Sequence, residues 1–474
     1  MGGKHGMRHW FVAGLGVVAW LLVGVATAAV HETSGQMPSG AWYRIAVPDG
    51  WRAGDTLVAY QHGFDFSAPD GPPDLGPLKD IALAEGYAIA ATSYRTRGWA
   101  VFDAIDDNRD LVALFTREFG APGDLLPFGG SLGGLIALRL AEADGLPPVR
   151  GVYAMCPAAA GARLWDYAID LRLGYEAICA GAGELRHGAQ PLWWAFDLGM
   201  IPAHLGDMSD LGGLVDNAVV LDTLLQLNRC TGINLPPAQR STDKQRRLAQ
   251  LKAFSRIDDE QFLLTNIGYV TFGLSDLVRA PGKLDGRNPF TTVGVDYGDD
   301  PQVAANILRL VADAGAAQAL HAASDFRGRV GEARIVSLHT SRDQLVIPGN
   351  QEFIRTQVPA TQWVSAIVAE QQPSHCGFNA AEGLAGWEAL RAWLGGAPQP
   401  DVASLQEACQ LLVARGIAAG PCRFDPDAQW LPFDAVVRPR ATESPSPRGH
   451  SNHAVPARRP PPAPAMRARQ SLTG

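Results

Sequence analysis

Short runs of apolar, often β-branched residues recur along the first third of the chain and again beyond residue 330, each bounded by Gly, Pro or Asp. They predict strands at Trp42–Val47, Thr56–Tyr60, Tyr87–Thr92, Leu125–Phe128, Val149–Met155, Arg334–His339 and Trp363–Ala369. Helical patterns fall between them. Asp106–Phe119 carries Leu111, Leu114, Phe115 and Glu118 at helical spacing, while Leu132–Ala143 and Glu382–Leu394 are rich in Leu and Ala. Strands that alternate with helices predict an α/β protein, with a mostly parallel sheet and helices on both faces.

The alternation stops at about residue 157 and resumes at about 330. The intervening stretch is rich in Leu and Ala and holds Trp165, Trp193 and Trp194. It is too long for a loop, so it predicts a mainly helical insertion that caps the sheet. Past residue 398, Leu405–Val413 reads as a short helix and Gly420–Pro432 as an irregular segment. From Arg438 onward Pro, Arg, Ser and Ala dominate, a composition that buries little apolar surface and predicts a disordered tail. The expected organisation is a leader over 1–29, core over 30–156, cap over 157–330, core again over 331–397, an extension over 398–437, and the tail over 438–474.

Composition narrows the class. Of 474 residues 47% are hydrophobic and 19% charged, as in a globular protein and unlike a disordered or collagen-like one. The net charge of -8 is uneven: the tail carries +6 and the leader +2, leaving -16 on residues 30–437. An acidic body argues against nucleic acid as the main partner. The leader has a basic start at Lys4, His5, Arg8 and His9, an apolar run from Trp10 to Val25, and small residues at Ala26-Thr27-Ala28. That is the layout of a cleaved export signal, so the expected location is secreted or periplasmic, with no stable membrane insertion after its removal.

Six Cys, with no CxxC pair among them, suit an oxidising compartment rather than a zinc ribbon. Cys409 and Cys422 are close in sequence and Cys179 and Cys230 share the insertion, so these are the first pairs expected. Cys156 and Cys376 are left either to pair or to remain buried thiols.

The strongest chemical signal is Gly129-Gly130-Ser131-Leu132-Gly133, a G-x-S-x-G set between a predicted strand and a predicted helix. A sharp strand-to-helix turn needs glycines on its flanks, lifts the Ser131 hydroxyl above the sheet, and puts the Leu132 N–H at a helix start where an oxyanion can bind. A hydroxyl attacks only if a base takes its proton. His375, just after the strand Trp363–Ala369, is the expected base, and Asp343, in the loop after Arg334–His339, is the acid that fixes its tautomer. Asp325 and Glu370 are weaker substitutes for that acid. His62-Gly63-Phe64, after Thr56–Tyr60, suits a second oxyanion donor: the Phe64 N–H, with Gly63 as the alternative, while His62 bonds within the loop. Asp296–Asp300 has the carboxylate density of a calcium site but not the loop spacing, so a solvated turn is expected there. Trp193-Trp194 and Phe196 read either as pocket wall or as packing between cap and core.

With these residues in the order His62-Gly63-Phe64, Ser131, Asp343, His375, the chain resembles the α/β-hydrolase superfamily over roughly residues 42–397. The resemblance implies the α/β-hydrolase fold with its cap inserted after the sixth strand, and a secreted serine esterase or lipase-like activity needing neither cofactor nor metal. Tyr94-Arg95-Thr96-Arg97-Gly98 loosely resembles prolyl-oligopeptidase-type members. The expected partner is a small-molecule or acyl ester substrate. The alternatives are an exported serine peptidase using the same triad and a non-catalytic binding protein on this scaffold.

Overall fold

The computed structural model describes residues 29–185, 218–298 and 300–440. Eight strands form one sheet: β1 (Val30–Gln36), β2 (Trp42–Pro48), β3 (Thr56–Gln61), β4 (Ala88–Thr92), β5 (Asp124–Gly130), β6 (Gly151–Met155), β7 (Arg334–Thr340) and β8 (Trp363–Val368). Their order is β1-β2-β4-β3-β5-β6-β7-β8. β2 runs antiparallel to both neighbours, and every other ladder is parallel. The inner strands read as unbroken apolar runs because both of their faces are covered; all five residues of β4 are buried.

β1 is the strand that the apolar pattern does not predict. Its sequence VHETSGQ is mostly exposed, and it is held by backbone pairing to β2 rather than by burial. An edge strand with one neighbour needs no apolar face, so it leaves no periodic signal.

Helix α1 (Ala104–Phe119) buries Leu111, Val112, Leu114 and Phe115 against β2–β4, and α2 (Leu132–Leu140) is buried along nearly its whole length behind β5 and β6. The segment between β6 and β7 is mainly helical. It includes α3 (Ala162–Ile178), α4 (Thr242–Ser255) and α5 (Glu260–Gly268), the last continuing through a π-turn at Tyr269–Gly273 into α6 (Leu274–Arg279). One contiguous apolar cluster joins α2, α3 and these cap helices, so the cap shares a core with the sheet instead of owning a separate one. On the opposite face Trp387 of α7 (Ala380–Leu394) packs among Tyr153, Phe128 and Tyr87, and α8 (Val402–Ala414) packs on α7.

Three disulfides join the six cysteines: Cys156–Cys376, Cys179–Cys230 and Cys409–Cys422. The last two are the pairs expected from sequence, and the first settles the pair left open.

The boundary of the expected disordered tail needs correction. Arg438 and Arg440 are buried in the cap. Arg440 Nε lies 3.0 Å from Asp166 Oδ1 and Nη1 lies 3.1 Å from Asp170 Oδ2; both acids belong to α3. Arg438 stacks on the Phe254 ring at 4.2 Å. Two carboxylates inside an apolar helix require a counter-charge, and the chain's last described residues supply it. The remainder of that tail, the leader, and Trp193, Trp194 and Phe196 lie outside the described residues.

Candidate active site

A mostly parallel eight-stranded sheet in this order, antiparallel only along β2, with a sharp turn from β5 into a helix and a helical insertion after β6, is the architecture of the α/β-hydrolase fold. The site forms beyond the carboxyl ends of β3, β5, β7 and β8.

Ser131 sits on the turn between β5 and α2 with φ 57° and ψ -125°, a conformation non-glycine residues rarely adopt. The crossing of the turn over β3 shows why glycine flanks it. A Cβ on Gly133 would lie 2.0 Å from the Gln61 carbonyl oxygen, and one on Gly129 would lie 2.4 Å from it. The turn is anchored from the other side as well, since Ser131 donates its N–H to the Met155 carbonyl at 2.9 Å and accepts from the Ala158 N–H at 3.1 Å.

Asp343 is 1% exposed and lies in the loop after β7. Its Oδ1 accepts from the N–H groups of Leu345 (2.9 Å) and Val346 (3.0 Å), which fixes the carboxylate and turns Oδ2 to His375 Nδ1 at 2.7 Å. His375 keeps a quarter of its side chain exposed. With Nδ1 on the carboxylate, Nε2 is the nitrogen left to exchange a proton with a reacting group. Asp325 and Glu370 have other partners. Asp325 bonds His321 and the Ala162 N–H, and Glu370 accepts from Ser374.

His339, on β7, is a residue whose place in this site no sequence signal marked. It is fully buried, with Nε2 2.6 Å from the Val346 carbonyl, Nδ1 3.2 Å from Gln351 Nε2, and Nε2 3.8 Å from Asp343 Oδ2. Burial pulls its pKa below the ordinary value, so it stays neutral and leaves the Asp343 charge facing His375.

The loop after β3 brings Gly63 to Ser131: a Cβ on Gly63 would lie 3.9 Å from Ser131 Cβ. His62 Nδ1 contacts the Gly63 carbonyl at 2.8 Å, as expected for a ring that bonds within its loop. That carbonyl shares a peptide plane with the Phe64 N–H, so fixing one orients the other. Among the described residues neither the Phe64 nor the Leu132 N–H has a partner, which leaves both available to an oxyanion. Beneath the loop, Gln61 and Asn108 exchange two 2.9 Å amide bonds, and His62 stacks on Tyr94 with ring centroids 4.2 Å apart. The Tyr94–Gly98 segment is thus a buttress. Its Arg95 pairs with Asp107, and its Arg97 reaches Asp276 of the cap.

Beside Ser131 opens an apolar pocket walled by Phe64, Trp99, Trp165, Tyr167, Tyr269 and Val346. Phe64, Trp99 and Val346 come from segments of the core; the cap supplies Trp165, Tyr167 and Tyr269. The π-turn holding Tyr269 packs against the loop after β3, with Tyr269 and Phe64 centroids 5.1 Å apart. Cys156, His375 and Cys376 bring ligand-type atoms within 4.8 Å of one another, but the two sulfurs are joined in a disulfide and cannot bind a metal as thiolates. In the acidic turn, Asp296 accepts from the Gly298 N–H, and Asp300 caps the helix Pro301–Asn306. Asp299 lies outside the described residues.

No family model matches the chain. An o-phthalyl amidase of Xanthobacter agilis is 27% identical over 118 residues, which is 24% of this chain and 24% of that protein; the match therefore spans about a quarter of the curated relative. Among solved structures, a putative hydrolase of Legionella pneumophila is 14% identical at a TM-score of 0.36, covering 82% of this chain and 90% of that one. Lipase A of Candida antarctica is 11% identical at 0.36, covering 78% of each. An esterase of Pyrococcus furiosus is 11% identical at 0.34, covering 77% and 90%. Scores this low assign no function.

Proposed function

We propose that the protein is an exported serine hydrolase that cleaves carboxylic esters. The observation that carries this reading is the fixed Asp343–His375 pair at 2.7 Å beyond the same sheet edge as the strained Ser131 turn. In this reading Ser131 Oγ attacks the ester carbonyl while His375 Nε2 takes its proton. Asp343 holds the imidazole and stabilises its charged form. The tetrahedral oxyanion lies against the N–H groups of Leu132 and Phe64, with Gly63 as the alternative donor. His375 returns the proton to the leaving alcohol, then activates water to release the acyl group by the same route. The pocket walled by Trp165, Tyr167 and Tyr269 takes the apolar part of the substrate. No cofactor or metal enters these steps. Three disulfides and the leader-type sequence of residues 1–29 support the export reading. Among the described residues no helix is long and apolar enough to cross a membrane.

A second reading keeps the machinery and changes the bond. The partial match to an amidase favours an amide substrate, with the nitrogen leaving group protonated by His375. Turnover of p-nitrophenyl esters and of acyl and aminoacyl anilides, by wild type and Ser131→Ala, decides between them. Ester turnover that disappears in the variant supports the first reading; anilide turnover that dominates and disappears supports the second. If Ser131→Ala retains wild-type rates, both are wrong.

A further inference from the structure

The loop that carries His375 runs from the end of β8 to the start of α7; Asp343 orients the ring at 2.7 Å, and the loop's first residues are held by the Ala369 N–H on the Arg423 carbonyl (2.8 Å) and the Glu370 N–H on Ser341 Oγ (2.9 Å). Thr340 donates to the Ser374 carbonyl at 3.3 Å, Arg423 to the Gly377 carbonyl at 2.9 Å, and Arg342 to the Gln371 carbonyl at 2.6 Å. All three donors are side chains reaching in from other segments, and Arg423 is itself held by the buried Glu382 carboxylate at 2.8 and 2.9 Å. The covalent tie is different. Cys376 follows His375 directly and is bonded to Cys156, with the two Cα atoms 5.5 Å apart.

Cys156 is fully buried at the end of β6, next to Met155, the residue whose carbonyl accepts the N–H of Ser131. The bridge lies over the nucleophile turn itself: a Cβ on Gly130 would sit 3.8 Å from Cys376 Sγ and 3.9 Å from Cys156 Sγ. Cys376 Sγ is also 3.7 Å from His375 Nε2. Both cysteines hold left-handed backbone, with φ 40° at Cys156 and 53° at Cys376, a conformation that costs free energy in any residue but glycine. A strained residue on each side of one bond, between the turn of the nucleophile and the loop of the base, is the arrangement expected if the bond fixes their relative position.

We infer that the Cys156–Cys376 disulfide is a positioning element for His375, so that the base is held at Ser131 only in the oxidised chain. The inference rests on His375 being the base. Cys376 is half-buried and so open to a small reductant, as is Cys422 of the third bridge, whereas both cysteines of the cap disulfide are fully buried. In the switching step a dithiol gives up two electrons and two protons, the Cys156–Cys376 bond becomes two thiols, and the dithiol becomes a cyclic disulfide. The Asp343–His375 bond can survive this change. What is lost is the tie that sets the height of the ring over Ser131. A displacement of the base by about 1 Å is enough to lower turnover on the order of 100-fold.

The test uses the full oxidised chain, the double variant Cys156→Ser/Cys376→Ser, a control Cys409→Ser/Cys422→Ser, and His375→Ala, all on one p-nitrophenyl ester. The double variant is expected to lose about 100-fold in kcat with KM little changed, because the acyl pocket is untouched, while the control keeps its rate. Added imidazole is expected to restore part of the lost kcat, which a general loss of structure would not allow. Should the double variant not fold, the Cys409→Ser/Cys422→Ser control reduced by a dithiol until the Cys156–Cys376 bond opens and the buried cap disulfide stays closed, as mapped by alkylation and mass spectrometry, is expected to show the same loss, reversed on reoxidation. A folded double variant with kcat within about threefold of oxidised wild type, or a selectively reduced control within about threefold of its oxidised form, overturns the inference. If His375→Ala also matches wild type, the base assignment has failed and the positioning role falls with it. If His375→Ala is inactive and the double variant is not, only the role of the disulfide falls.

Discussion

Replacing Arg440 tests whether the end of the described chain is structural. Its guanidinium holds Asp166 at 3.0 Å and Asp170 at 3.1 Å, and donates to the Asp166 carbonyl at 2.9 Å. The side chains of Arg440 and Asp170 are 3% and 1% exposed. Burial opposes the charge on Arg440, but the two carboxylates outweigh it and push its pKa above the ordinary arginine value. Arg440→Met keeps most of the bulk and removes the charge. Removing one partner of a buried ion pair costs about 3–5 kcal/mol. Asp170 keeps its 2.6 Å bond from the Tyr297 hydroxyl and Asp166 is 12% exposed, so the low end applies, at about 3 kcal/mol. With a urea m-value of about 3 kcal/mol/M, the midpoint falls by roughly 1 M. Urea unfolding followed by tryptophan fluorescence measures this. A second substitution, Asp170→Asn in the Arg440→Met background, removes the stranded charge and is expected to recover much of the loss. Salt at 1 M is expected to leave the deficit in place, since a buried pair is poorly screened. A deficit below about 1 kcal/mol, or one abolished by salt, refutes the buried strap and puts Arg440 on the surface.

Two further outcomes follow from the site. Burial pulls the pKa of His339 and of His62 below the ordinary 6.5, so an unfolding chain takes up protons that the native chain does not. Stability is therefore full above about pH 6.5 and falls as pH drops toward the lowered native values; in His339→Gln the fall between pH 7 and 5 is expected to be smaller than in wild type, read from urea midpoints at each pH. Gly133→Ala places a methyl 2.0 Å from the Gln61 carbonyl, with strand backbone that cannot yield, and soluble expression compared with that of Gly383→Ala, where nothing lies within 4 Å, is expected to drop sharply.

How far the sequence carries depends on whether a residue's partners are local. The glycines around Ser131 were legible because their reason is local: a strand enters, a helix leaves, and the turn has no room. Asp343 and His375 were legible because each follows an apolar strand in a fixed chain order. β1 was not, because an edge strand held by one ladder needs no apolar face. Neither was the place of His339, whose meaning lies in the carbonyl of Val346 and the side chain of Gln351, which the loop after β7 folds back to meet it. Arg440 was misread for the same reason: an Arg beside prolines looks solvated until the acids of α3, far back in the chain, are seen to need it. The pocket walls from the cap carried no periodic signature beyond that of ordinary core.

These distant contacts bear on how the pocket is built. Trp165, Tyr167 and Ala168 of α3 line it, and α3 is fixed on another face by Arg440. On the far side, α6 is tied to the core through Asp276, which takes Lys283 at 2.5 Å, while Lys283 also donates to the Arg97 carbonyl at 2.7 Å. The same π-turn that precedes α6 presses Tyr269 against Phe64. A cap anchored at both α3 and α6, and continuous with the core beneath it, cannot swing away as one rigid lid without stranding buried charges at each anchor. The wall that α3 and the π-turn give the pocket is therefore preformed. Phe64 supplies a ring to that wall, and its neighbour Gly63 approaches Ser131, so a substrate group that fills the pocket would bear on the residue proposed to hold the oxyanion. On the proposed mechanism, binding energy from the apolar group would be coupled to the position of the oxyanion donor, and better filling is expected to raise kcat and not only affinity.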